Sequence, residues 1–197
     1  MNFLFHLYLS GNDQELLVGN FMGDFVKGRL SQGDYPPKIL DGLLLHRKID
    51  SFAQVNSSFQ TSRRRLPERF GLYRGILVDM FYDHFLASQW STWSRRSFEE
   101  YLHWVRIVVN HHLDLMPDQL QEFCPVICNE LLPSYRTVPG IGAALSRMSR
   151  HVSRNNPLAE GTTELERQYE QLKADFETFM PAVQRFVATS FPNASDP

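Results

Sequence analysis

The residues with the clearest chemical potential sit in ILVDMFYDHFLASQW, residues 76–90. Asp79 and Asp83 are four apart, so on a helix they point the same way, one turn above the other. Their neighbours on that side are Ile76, Tyr82 and Leu86. Two close, desolvated carboxylates cannot both stay ionised cheaply; a divalent cation or an arginine resolves the conflict. His84 is turned about 100° from Asp83 and can flank the same cleft. LLLHRKID repeats the pattern, with His46 and Asp50 four apart and Arg47 and Lys48 beside them. A histidine and a carboxylate at this spacing can share one metal or hydrogen-bond each other. Asp24 lies in GNFMGDFVKG among Phe21, Met22, Phe25 and Val26, and His6 lies in the first apolar stretch, MNFLFHLYLS. Nitrogen and oxygen donors without thiolates favour manganese, iron, zinc or magnesium. The rival reading pairs these acids with arginines, Arg47 among them, as structural ion pairs.

The basic residues are clustered. SRRRLPER carries Arg63, Arg64, Arg65 and Arg69, and SRRS carries Arg95 and Arg96; an ordinary solvated face accounts for these as well as a function does. In LSRMSRHVSRNNP, Arg147, Arg150, His151 and Arg154 share one helix side, opposite Ala144, Leu145, Met148 and Val152. Four potential cations without an acid suit a phosphate or an acidic protein surface. A net charge of −2 and the lack of interleaved aromatics argue against nucleic acid. There is no phosphate-binding glycine loop, Gly-x-Ser-x-Gly elbow or Cys-His nucleophile arrangement.

These residues must be positioned by helices. Apolar residues recur at three and four, no run alternates with period two, and no hairpin signal occurs, so the expectation is an all-α bundle, one domain over 1–197. A short helix or an extended start is expected at 2–9, and helices at 13–27 with Gly28 as a left-handed cap, 37–54, 72–89, 97–113, 117–131, 141–154 and 162–190, with a short helix and loop between residues 56 and 71. Ser97 with Glu100 and Thr163 with Glu166 are capping-box candidates. Leu165, Tyr169, Leu172, Phe176, Phe179, Val183 and Val187 form the stripe of the last helix, and Pro181 is expected to kink or restart it. Cys124 and Cys128 read as buried small apolar residues in a reducing compartment. No segment reaches the roughly 18–20 apolar residues of a membrane span, and the expected location is the cytoplasm.

Taken in order, MNFLFHLYLS, GNFMGDFVKG, LLLHRKID, VDMFYDHFL and SRMSRHVSRNNPL resemble the acyl carrier protein phosphodiesterases. The resemblance runs in register from residue 1 to about 90, resumes near 140 and is weak across 105–135. It implies an enzyme that removes the 4′-phosphopantetheine arm from holo acyl carrier protein. It also implies a divalent metal, typically manganese, and a distant relation to the helical HD-domain phosphohydrolases. Asp24 matches a functionally important aspartate of the family. Two departures stand out. The family's start can read His-x-His, where this chain has His6-Leu7-Tyr8, and the adjacent His-Asp order is reversed in Asp83-His84.

The resulting expectation is metal-assisted phosphodiester hydrolysis, with His6, Asp24, His46, Asp50, Asp79 and Asp83 as the ligand set. The cation acidifies the attacking water and polarises the phosphoryl oxygen. Asp24, His84 and Arg47 are the catalytic candidates, with His84 as the acid for the departing serine alkoxide and Arg47 countering phosphate charge. Arg147, Arg150 and Arg154 steer the acidic carrier. The alternatives are an HD-type nucleotide phosphohydrolase and a non-catalytic helical interaction module.

Overall fold

The computed structural model describes residues 2–152 and 155–191 and contains no strand among them. The helices run in the order α1 (Phe3–Leu9), α2 (Gln14–Met22), α3 (Pro37–Val55), α4 (Ser57–Arg65), α5 (Tyr73–Ser88), α6 (Trp90–Trp93), α7 (Phe98–His111), α8 (Asp118–Val126), α9 (Leu132–Ser134), α10 (Val138–His151), α11 (Gly161–Arg167) and α12 (Tyr169–Ser190). A π-helical turn, Ile127–Leu131, joins α8 to α9. One hydrophobic core takes residues from Leu4 to Val187. No helix among the described residues is long and apolar enough to cross a membrane.

Helices α2 and α3 touch backbone to backbone. A Cβ on Gly19 would fall 2.1 Å from the Ile39 carbonyl oxygen, and one on Gly42 would fall 2.3 Å from that of Leu16. Only glycine permits this approach, and it brings α2 against the first two turns of α3. Across that contact, Asn20 of α2 meets His46 of α3.

Helix α5 is buried nearly all round, from Leu77 to Ala87 except Asp79, which is partly buried. Its aromatic residues join those of α1 and α12: Tyr82 meets Phe176 and Phe179, and Phe5 meets the same pair. The expected α12 stripe is in place, with Leu172, Phe176, Phe179, Val183 and Val187 buried.

Several boundaries differ from the sequence reading: the helix expected from 141 already begins at Val138, and the one expected over 117–131 gives way to the π-helical turn at Ile127. The helix expected over 13–27 stops at Met22, with Gly23 as its cap; Gly28 does adopt the left-handed region, at φ 85°, but downstream of the helix. Asp24 therefore sits on the chain leaving α2. The last helix is two, broken at Gln168 (φ −120°, ψ 23°), and Pro181 lies within α12 without starting a new segment. Thr163 does not cap, because α11 has already begun at Gly161. The Ser97–Glu100 box does form, each side chain bonding the other's backbone N–H. Cys124 and Cys128 are buried free thiols, and burial pushes them up to about 12 and about 11.

Candidate metal centre

His6 projects from α1, and His46 and Asp50 from adjacent turns of α3. The imidazoles of His6 and His46 are stacked, with centroids 3.8 Å apart and planes 13° from parallel. Each Nε2 lies 3.4 Å from an Asp50 carboxylate oxygen, His6 to Oδ1 and His46 to Oδ2. One ligand atom from each of the three residues falls within 4.8 Å of the others. Asp24 stands on the rim, with Oδ1 3.7 Å from His46 Nε2 and its side chain half exposed.

Asn20 sets the tautomer of both rings. His46 Nδ1 lies 2.8 Å from the Asn20 main-chain oxygen, which can only accept, so Nδ1 carries the proton. The Asn20 amide donates through Nδ2 to the His6 carbonyl at 2.7 Å and to Ser10 Oγ at 2.9 Å. Its oxygen is therefore the atom 2.8 Å from His6 Nδ1, and that nitrogen also donates. With both Nδ1 atoms donating, the Nε2 atoms are the ones turned toward Asp50, the orientation that metal-binding histidines take when a carbonyl grips the other nitrogen.

The electrostatics agree. Burial first, then the neighbouring His46, lowers His6 to about 4, so its ring is neutral at neutral pH. Burial works to raise Asp50, but His6 and His46 outweigh it and hold the carboxyl well below the usual range. Asp24 follows the same pattern, with burial opposed and outweighed by His46 and His6. Asp79 is raised, by burial first and also by the negative charges of Asp50 and Asp24.

The donors fit a divalent cation. His6 Nε2 is buried and makes no hydrogen bond, a costly state for a nitrogen lone pair unless a ligand satisfies it. The 3.4 Å separations are long for hydrogen bonds. They match the roughly 3–3.5 Å expected between donors sharing one ion.

The family model for acyl carrier protein phosphodiesterase matches residues 1–183. The chain belongs to that family. A relative named acyl carrier protein phosphodiesterase from Klebsiella pneumoniae is 31% identical over 192 residues, covering 94% of this chain and 96% of its own. Relatives of the same name from Serratia proteamaculans and Yersinia pestis are 30% and 29% identical over 187 residues, each covering 94% of this chain and 96% of its own. No solved structure matches the chain significantly.

The remaining candidates of this family member are placed elsewhere. Asp83 is fully buried and spends its carboxylate on α1, accepting from Leu4 N and Phe5 N at 3.0 Å each. It caps the helix that carries His6, whose own N-cap residue Asn2 makes no side-chain cap bond. This corrects its reading as a ligand: an acid buried at a helix N-terminus is satisfied by orphan N–H groups and helix dipole. His84 is likewise committed, with Nδ1 2.9 Å from the Tyr135 carbonyl oxygen and Nε2 3.0 Å from the Tyr169 hydroxyl. It serves as a buried strut, not as the acid of the site. Arg47 borders the cluster but donates to the carbonyls of Val26 and Gly28, so it ties down the segment after α2. Arg147 is paired with Glu130 at 2.6 Å, Arg150 is exposed, and Arg154 lies outside the described residues.

Two residues of the centre went unread in the sequence, Asn20 and Gly23. A Cβ on Gly23 would lie 2.0 Å from His46 Cγ, so the ring occupies the space that glycine leaves. The available signal was an asparagine inside the apolar run of α2, four residues before Asp24.

Proposed function

We propose that this chain is a metal-dependent phosphodiesterase that frees 4′-phosphopantetheine from the serine of holo acyl carrier protein, leaving apo carrier. The observation that carries this reading is the pair of Nε2 atoms, oriented by Asn20 and gathered with the Asp50 carboxylate. His6, His46 and Asp50 hold the cation, and Asp24 stands beside them on the rim. When bound, a divalent ion supplies Lewis-acid charge that polarises a phosphoryl oxygen and acidifies water. All donors are nitrogen and oxygen, which suits manganese, with magnesium, iron or zinc as alternatives.

The protein's own groups do the rest. Asn20 holds both rings through Nδ1 and leaves Nε2 of each turned toward the cluster. Asp24, half exposed and ionised, is open to substrate and can take a proton from the attacking water. Arg47, fixed by two carbonyls, places a positive charge beside the scissile phosphate. Exposed cations such as Lys27 and Arg150 attract the acidic carrier, so affinity falls with salt. Imidazoles and carboxylates drawn from several helices are compatible with an HD-like plan, although the cluster lacks an adjacent His-Asp pair. The buried free thiols suit a reducing compartment, and we place the reaction in the cytoplasm.

The test is a mass spectrum of holo carrier before and after incubation with protein and manganese. The carrier should lose the mass of its arm, and EDTA should prevent it. Unchanged carrier with turnover of nucleotides would replace this reading with a nucleotide phosphohydrolase.

A further inference from the structure

A second concavity adjoins the metal centre. It is a cleft of about 590 Å³, with an apolar wall formed by Phe3, Phe25, Phe123, Leu131, Ala144 and Met148. The shallower depression over the cluster is bordered by His46, Arg47 and Asp50. Asp24 lines both. Asp24 thus stands where the depression over the cluster and the cleft between α8 and α10 adjoin.

We propose that this cleft seats the phosphopantetheine arm, with its phosphodiester at the His6–His46–Asp50 cluster beside Asp24 and its pantetheine portion lying between Phe123 and Met148. The inference rests on the proposed phosphodiesterase function and adds where the arm is read. The volume lies in the range of small-molecule pockets, roughly 300–1,000 Å³. The lining matches the arm's chemistry, which is largely uncharged: a gem-dimethyl group, two amides and a thioethyl end. Apolar walls meet the carbon chain, while Gln119 and Tyr135 offer polar atoms for amides. Among the described residues the guanidinium on the lining is Arg147, paired with Glu130, and the acid Glu122 also lines the cleft, so no unpaired guanidinium there competes for the phosphate. The phosphate is thereby left to the cluster and the neutral chain to the cleft. His84 acquires a role in this arrangement, because its bond to the Tyr135 carbonyl fixes one wall.

The test fills the cleft from α10 in the intact protein loaded with manganese. Met148→Trp, and independently Ala144→Leu, should raise both the Kd for free 4′-phosphopantetheine and the KM for holo carrier at least tenfold. Bound manganese and the melting temperature should stay at wild-type values, as should the Kd for inorganic phosphate. Wild type should bind 4′-phosphopantetheine at least tenfold more tightly than inorganic phosphate; equal affinities overturn the proposal even if neither variant folds. A folded variant with unchanged Kd and KM also overturns it. Failure of wild type to cleave holo carrier would refute the phosphodiesterase reading, while the binding comparison would still decide the cleft.

Discussion

The rings of His6 and His46 lie face to face, 3.8 Å between centroids, and one residue, Asn20, holds the Nδ1 of each. Two imidazolium rings at this distance would repel, so the stack is stable with at least His6 neutral, as its lowered pKa indicates. Neutral rings with outward lone pairs are what a cation requires.

Asn20→Ala should loosen the His6 ring, while His46 keeps its bond to the main-chain oxygen of residue 20. The expected result is a 10- to 100-fold weaker affinity for manganese, the usual effect of losing an outer-shell partner, read by calorimetric titration. Asn20→Asp keeps the oxygen facing His6 Nδ1 but removes the donor to the His6 carbonyl and to Ser10, and should recover only part of the affinity.

Alanine at His6, His46 or Asp50 should abolish measurable manganese binding and lower carrier hydrolysis by at least a hundredfold, followed by the carrier's mass. Asp24→Ala, on the exposed rim, should lower hydrolysis more than it lowers metal content.

Gly23→Ala inserts a methyl where the His46 ring lies, with a Cβ 2.0 Å from Cγ. The ring must move off its bond to the Asn20 carbonyl. Metal affinity should drop even though no donor has been removed, and a crystal structure should show His46 rotated.

Asp83→Ala leaves Leu4 N and Phe5 N buried without partners and should cost about 2–4 kcal/mol in denaturant unfolding. The sign of its pH dependence is also fixed. Burial pushes Asp83 up to about 8 against the opposing N–H bonds, above its ordinary 3.8. The folded chain therefore holds a proton that the unfolded chain releases, and this group's contribution to stability declines as pH rises from about 4 to 8. Asp83→Asn should remove that component, so the wild-type minus variant stability should slope downward across the window.

His84→Gln should leave kcat on holo carrier within a few-fold of wild type and lower stability by about 1–3 kcal/mol, through the lost bonds to Tyr135 and Tyr169. A thousandfold loss of kcat with an intact fold would restore His84 as the acid.

Helical periodicity was legible in the sequence because it is local. It placed His46 and Asp50 on one face of α3, drew the buried stripe of α12 and located the Ser97 cap, all set by 3.6 residues per turn and by the nearest few side chains. The same rule aligned Asp79 with Asp83 but was silent on what each faces. That depended on which helix end packs against α5: the first turn of α1 arrived at Asp83 and took its carboxylate. His6 reached His46, and Asn20 reached both, because α2 and α3 meet through Gly19 and Gly42, a contact between residues more than twenty apart in the chain. Direction about a helix axis is a property of sequence spacing; the partner in that direction is decided by how the helices pack.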